Sequence, residues 1–229
     1  MKRFVVVILF FVFGTLYSQD QSVKEIDSLY KEDHFYAGIT YNVLVNKPSN
    51  VKQSGFSLGF NLGFIKDMPV NKSRTWAIGV GLGYSANSFN ENLLISKSNS
   101  GEFNYSVIED KETYNKNKFA SHLVELPIEL RWRTSTPTDY NFWRIYTGFK
   151  LGYSFVNTNK HKGDLGDFKY NDNPDFNNLQ YGLTLSAGYN TWNFHLYYAL
   201  NPIFNNDAQL SGSTIDMSAI KIGLMFYIL

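Results

Sequence analysis

Residues Ser121-His122-Leu123-Val124-Glu125-Leu126-Pro127-Ile128-Glu129-Leu130-Arg131-Trp132-Arg133 alternate with period two. Val124, Leu126, Ile128, Leu130 and Trp132 fall on one face of an extended strand, and Glu125, Pro127, Glu129, Arg131 and Arg133 on the other. Which face points inward is decided by the neighbouring segments. From Trp76 to Tyr84 the residues Trp76, Ile78, Val80, Leu82 and Tyr84 alternate with Ala77, Gly79, Gly81 and Gly83. From Gly55 to Phe64 the residues Phe56, Leu58, Phe60, Leu62 and Phe64 alternate with Gly55, Ser57, Gly59, Asn61 and Gly63. A soluble sandwich would carry Lys, Glu and Thr on its solvent face. A face of Gly, Ser and Asn suits the crowded inside of a narrow barrel. The glycine face and the charges therefore point into a lumen, and the apolar face points outward into lipid. A soluble lipocalin-like barrel would reverse this and leave the glycine-rich face in water.

Five further segments carry the same period. They are Phe35 to Val45, Trp143 to Phe155, Leu179 to Tyr189, Phe194 to Asn201 and Ile220 to Ile228. The sum is eight strands, each near the roughly 9 to 11 residues that a tilted spanning strand needs. Short links at 65–74, 134–142 and 190–193 alternate with long polar connections at 86–120, 156–178 and 202–216, and 46–54 is a shorter member of the second set. This asymmetry predicts short periplasmic turns and long outer loops. Aromatics at strand ends, among them Phe35, Trp76, Trp132, Phe142, Trp143, Trp192 and Phe194, suit interfacial girdles. The fold expected is an all-β, eight-stranded, antiparallel, transmembrane up-and-down barrel.

The chain of 229 residues begins Met1-Lys2-Arg3, followed by an apolar run from Phe4 to Phe13 and a short exit region to Gln19. This reads as a cleavable signal peptide over 1–19, since a run that short falls well below the roughly 20 apolar residues of a spanning helix. Residues 20–34 read as a periplasmic segment leading into the barrel, which occupies 35–229. The expected location is the outer membrane of a Gram-negative-type cell with the N-terminus periplasmic. The formal charge is +1 for the whole chain, and −1 once Lys2 and Arg3 leave with the signal peptide. That leaves no field to hold nucleic acid. With no cysteine, disulfide scaffolds, thiolate metal sites and a Cys nucleophile are excluded.

The C-terminal run Lys221-Ile222-Gly223-Leu224-Met225-Phe226-Tyr227-Ile228-Leu229 resembles the insertion signal of outer-membrane barrels at Lys221, Gly223, Phe226 and Ile228, with Leu229 as an additional residue. With the strand His122-Leu123-Val124-Glu125-Leu126-Pro127, the mature chain resembles the PorT-like outer-membrane beta-barrel family. The resemblance implies outer-membrane lipid around the barrel and recognition of the last strand by the barrel assembly machinery. It also admits a protein partner at the outer loops or the periplasmic side. Some relatives belong to the type IX secretion apparatus, so an accessory role there is the alternative to a structural or interaction protein.

Glu125, Glu129, Arg131, Arg144, Lys150 and Lys221 form the expected lumen charge cluster. They act either as a proton or ion path or as a salt-bridged plug; eight strands leave room only for side chains, which favours the plug. Pro127 predicts a bulge or local break. His34, His122, His161 and His195 lack zinc-ligand spacing. Ser121, His122 and Glu125 do not make a triad, because Ser121 and His122 point to opposite faces. Gly79, Gly81 and Gly83 lie within a strand and not before a helix, which speaks for lumen packing over nucleotide binding. The loop with Asp164, Asp167, Asp172 and Asp175 lacks calcium-loop spacing. Leu93-Leu94-Ile95 and Phe103 to Ile108 predict a hairpin extending the third and fourth strands. No enzyme activity and no cofactor are expected; a small channel or a barrel-embedded hydrolase would be the lesser alternatives.

Overall fold

A computed structural model of the chain describes residues 33–109, 112–135 and 142–228. The signal peptide, most of the 20–34 segment and Leu229 lie outside the described residues. Thirteen strands follow in order: β1 (His34–Val45), β2 (Leu58–Pro69), β3 (Trp76–Asn90), β4 (Leu93–Lys97), β5 (Phe103–Val107), β6 (Tyr114–Arg133), β7 (Trp143–Gly163), β8 (Gly166–Asn171), β9 (Leu179–Tyr189), β10 (Trp192–Ala199), β11 (Gln209–Leu210), β12 (Ser213–Thr214) and β13 (Ser218–Ile228). Eight of them close a barrel in the order β6-β3-β2-β1-β13-β10-β9-β7, with β7 pairing back onto β6 and β8 added as a flap on β7. Every pairing is antiparallel. Closure leaves no free edge, which is the condition for strands to cross lipid.

The burial pattern fixes the inside-out arrangement. Along β6 the odd residues Leu123, Glu125, Glu129, Arg131 and Arg133 are buried, while Val124, Leu126, Ile128 and Leu130 are each at least 39% exposed. The same reversal runs round the barrel through Phe35, Phe60, Leu62, Leu82, Phe149, Leu183, Phe194 and Ile228. A continuous apolar outer face of this kind is tolerable only in hydrocarbon. All four tryptophans, Trp76, Trp132, Trp143 and Trp192, stand outward at the end of the short turns, paired Trp76 to Trp132 and Trp143 to Tyr189. Tyr41, Tyr153 and Phe155 stand outward near the opposite end of the belt. Eleven residues of β6, from Trp132 to His122, rise roughly 25 Å at the usual strand tilt, the height of a membrane belt.

Several strands are longer than the period suggests. β2 begins at Leu58, after a turn in which Gly55 has φ 63°, and runs on to Pro69. This puts Ile65 and Asp67 inside a strand and reduces the expected 65–74 link to residues 70–75. β7 continues to Gly163 through a shift of register against β6 between His122 and Leu123. Phe155 is the extra residue there. Inward residues are even up to Ser154 and odd from Asn157, so the bulge reverses the pleat and hides the continuing strand from a search for one period.

The break expected at Pro127 takes a milder form. Pro127 pairs in register with Lys150 of β7, while the β3–β6 pairs skip Leu126 and Pro127 and resume in the same register. The missing N–H thus interrupts one ladder without bulging the strand. The hairpin in the longest loop does form, as β4 paired with β5. It does not extend β3. It is a separate two-stranded sheet with Leu93, Leu94 and Ile95 buried.

Candidate functional site

The lumen is filled in layers. Nearest the short turns, Asp67 takes three charge-assisted hydrogen bonds: one from Arg131 at 3.0 Å and two from Arg133 at 2.7 and 2.8 Å. Arg133 also donates to the Arg74 carbonyl at 3.0 Å, and Arg131 donates to Glu129 at 3.3 Å. The Arg131 guanidinium lies 4.4 Å over the Tyr146 ring. Tyr36, Ile65, Tyr146, Met225 and Tyr227 pack as an apolar cluster within the lumen. Glycine supplies the space for it: a Cβ at Gly63 would come within 2.6 Å of the Tyr36 ring, and one at Gly83 would overlap the Tyr36 hydroxyl.

In the next layer Lys150 pairs with Glu125 at 3.0 Å, and Ser85 donates to the same carboxylate at 2.7 Å. Among the described residues the lumen holds five buried cations, Arg131, Arg133, Arg144, Lys150 and Lys221, against three buried carboxylates, Asp67, Glu125 and Glu129. Aromatic faces take the excess: Arg144 lies 4.5 Å over the Phe142 ring and Lys221 lies 4.7 Å over the Tyr197 ring. The six charges read from sequence therefore do share the lumen, but in two groups. Glu129 and Arg131 join Asp67 and Arg133, with Arg144 on the same aromatic cluster, and Glu125, Lys150 and Lys221 gather round Tyr197.

At the other end the long loops fold into a cap with an ordinary apolar core. Leu44, Val51, Phe89, Leu93, Ile95, Phe119, Phe176, Ile203, Phe204, Ala208, Ile215, Met217 and Ala219 pack together, drawn from four connections and the strand ends beneath them. Phe204 touches Phe119, Phe176 and Tyr105 at ring separations of 5.5, 4.5 and 5.8 Å. Polar anchors tie the loops to one another. Tyr105 donates to Asp175 at 2.7 Å, Asn117 donates to the Glu91 and Leu93 carbonyls at 2.8 and 2.9 Å, and Asn177 donates to the Pro202 and Phe204 carbonyls at 3.0 and 2.8 Å. Glu91 accepts from the Leu93 N–H, and burial pushes its carboxyl well above the ordinary carboxylate range.

The model of the outer membrane protein beta-barrel domain family matches residues 17–205. The chain belongs to that family. This outer-membrane barrel has no match among curated proteins. Among solved structures it is similar to Ail, the attachment invasion locus protein of Yersinia pestis, solved in complex with the heparin analogue sucrose octasulfate. The identity is 12% and the TM-score 0.34, over 87% of this chain and 100% of that one.

Other candidate groups of the outer-membrane barrel fall as follows. Ser121 is buried, whereas His122 points outward with Nδ1 on the Tyr84 hydroxyl, so the two stay apart. Sequence reasoning missed a different Ser–His contact: Ser186 and His195 face each other across β9 and β10 with Oγ and Nδ1 2.7 Å apart. Both are buried, and Tyr227 donates to Ser186 at 3.2 Å, so the contact is packing without access for a substrate. Among the described residues no group of three His, Cys, Asp or Glu side chains is placed to hold a metal. The loop aspartates are dispersed: Asp164 accepts from the Thr113 N–H, Asp167 pairs with Lys162, and Asp175 holds Tyr105. In the C-terminal run Lys221 points into the lumen and Phe226 stacks edge-on to Trp192 at 5.1 Å; Ile228 faces outward, paired with Phe35.

Asp67 is the central residue that sequence reasoning left out. Lys66-Asp67-Met68-Pro69 has the composition of a turn, and Lys66 on the outward face breaks the apolar pattern. Long lysine stems reach past an interface to water, so Lys66 is compatible with a strand end. Counting Ile65 and Asp67 as continuing the inward set Asn61 and Gly63 would have found the counter-ion for the arginines.

Proposed function

We propose that this outer-membrane barrel is a non-enzymatic, non-conducting protein whose work is done by its folded cap, in a structural or interaction role. The observation that carries this reading is closure at both ends. Arg131, Arg133 and Asp67 have no exposed surface at one level, and Phe119, Ala208 and Met217 have none at the other. Loops that bury a shared core present a fixed outer surface, which suits recognition better than passage.

The orientation belongs to the same proposal: a signal peptide over 1–19, the N-terminus and short turns in the periplasm, and the cap outside. So does membership of the PorT-like branch, supported by the His122 to Pro127 strand. An accessory role in a type IX-like apparatus would require a partner at the short turns or the 20–34 segment.

Because the chain has no cysteine, single-cysteine variants report orientation cleanly. Ser100→Cys, in the β4–β5 turn, should react with a membrane-impermeant maleimide on intact cells, and Ser73→Cys only after the outer membrane is opened. The reverse pattern contradicts the orientation. Pull-down of the tagged protein from solubilised outer membranes should return the barrel without stoichiometric secretion components; their recovery would replace the stand-alone reading with the accessory one.

A further inference from the structure

The outer face just above the lipid belt carries an unusual row of charge. In the β6–β7 register Lys118 stands directly opposite Lys160, and Lys116 opposite Lys162; in the β7–β8 register Lys160 stands opposite Lys169. Like charges facing each other across a ladder destabilise the sheet. The Phe155 bulge produces this arrangement. Without its reversal of the pleat, Lys160 and Lys162 would point inward with Ser154, and His161 outward. Asp167 pairs with Lys162 at 3.3 Å. Lys116, Lys118, Lys160 and Lys169 make no ion pair with any described residue.

Beneath the lysines an apolar strip of Phe56, Leu58 and Phe60 runs beside the polar Ser88 and Asn90 of β3. A lateral groove of about 470 Å³ is lined by Phe56, Leu58, Phe60, Ala120 and His122, with Lys116 and Lys118 on its rim. Phe56 is 80% exposed and Phe60 52% exposed. Lys118 reaches across to the Ser88 hydroxyl at 3.4 Å, which holds its ammonium over the groove. Partial burial, then the charges of Lys116 and Lys160, pull Lys118 below the ordinary lysine range, a cost that a bound anion would remove.

We infer that this groove and the lysine row form a binding site for a phosphorylated acyl lipid of the surrounding leaflet. The acyl chain would lie on Phe56 and Phe60 and the phosphate among Lys116, Lys118 and Lys160. A soluble polyanion would use the lysines and leave the apolar floor in water, so a lipid fits both halves of the site. Naming the outer leaflet rests on the orientation proposed above; the chemistry of the site does not.

The test uses the full mature barrel refolded in detergent, with bound lipid counted by native mass spectrometry. The probes are bis-phosphorylated lipid A, its dephosphorylated form, and inositol hexakisphosphate as a phosphate without acyl chains. The wild type should retain bis-phosphorylated lipid A in preference to the dephosphorylated form, more weakly as salt rises. The triple variant Lys116→Gln/Lys118→Gln/Lys160→Gln should lose about tenfold or more in affinity, since each surface lysine contributes roughly a factor of five toward an anionic headgroup. Phe56→Ser/Phe60→Ser should weaken the lipid and leave hexakisphosphate binding unchanged. Equal retention by the lysine variant, or equal binding of the dephosphorylated lipid, overturns the site. Hexakisphosphate binding as tightly as the lipid, with the phenylalanine variant indifferent, overturns the lipid in favour of a soluble polyanion. If the triple variant fails to show heat-modified migration on a gel, single Lys118→Gln and Lys160→Gln variants carry the same comparison. Retained lipid binding together with reversed maleimide labelling means that the orientation has failed and the site stands.

Discussion

The barrel wall and the cap are built by opposite rules from one chain. In the wall, Leu126, Ile128 and Leu130 face out while Glu129 and Arg131 are buried between them. In the cap, Phe119, Phe204 and Met217 are buried, and the charged residues Lys97, Glu102 and Asp207 stay outside. The solvent makes the difference. Hydrocarbon around the wall removes the drive to hide leucine and leaves the ionic groups to fill the lumen; water around the cap restores ordinary burial of apolar side chains. One half is therefore held by pairing of charges and the other by packing of rings.

The sharpest way to break this contrast is to take away the wall's shared counter-ion. Asp67→Asn leaves Arg131 and Arg133 buried without their common carboxylate. It should cost about 3–5 kcal/mol, read as a lower denaturant midpoint for loss of heat-modified migration. An unfolding free energy within about 1 kcal/mol of wild type would mean that the ionic layer is incidental to the wall.

Phe204→Ala attacks the other rule. Deleting a fully packed ring should cost about 3 kcal/mol, confined to the cap. Hydrogen exchange over 91–108 and 200–217 should rise while the heat-modified migration of the barrel persists. Joint collapse of cap and barrel would show that the two regions share one cooperative unit.

Ile128→Arg tests what surrounds the wall. Ile128 is 43% exposed near mid-belt, and an arginine there should cost about 2–4 kcal/mol in bilayers. The same substitution should be nearly neutral if that face meets water, so comparison of bilayer with detergent stability separates the two environments.

The smallest effect concerns pH. Glu91 is buried in the cap with its pKa raised, so its contribution is whole below the ordinary carboxylate range and is lost as pH rises toward the elevated folded value. Exchange in the β4–β5 hairpin should therefore speed up with rising pH above about 4.3 more than intrinsic chemistry requires. Glu91→Gln should flatten that slope, and an unchanged slope would place the charge elsewhere.

How much of this was legible in the sequence follows the same divide. The wall was readable because a membrane strand obeys one period and its two faces differ in kind: Val124 to Trp132 and Trp76 to Tyr84 give the inward face, and the repeat of that period over eight segments gives the strand number. The reading stopped where the period changed. Asp67 was lost behind Lys66, and the upper half of β7 was lost behind the bulge at Phe155, where inward residues switch from even to odd. The alternation marks Arg133 as an inward residue, but its role appears only when β2 brings Asp67 to it. The cap was the least legible region. Its core joins Leu44, Phe119, Phe176 and Ile203 from separate connections, and no local pattern announces a contact made only in three dimensions. The β4–β5 hairpin was recognisable from its apolar runs, though not its departure from the β3 ladder.

The central claim is that the lumen is a closed, ion-paired interior, and single-channel recording in planar bilayers tests it most directly. The purified, heat-modifiable barrel should give no stepwise current, whereas Asp67→Asn should give brief openings as Arg131 and Arg133 lose their anchor. Stable, ohmic steps from the wild-type barrel would contradict the account.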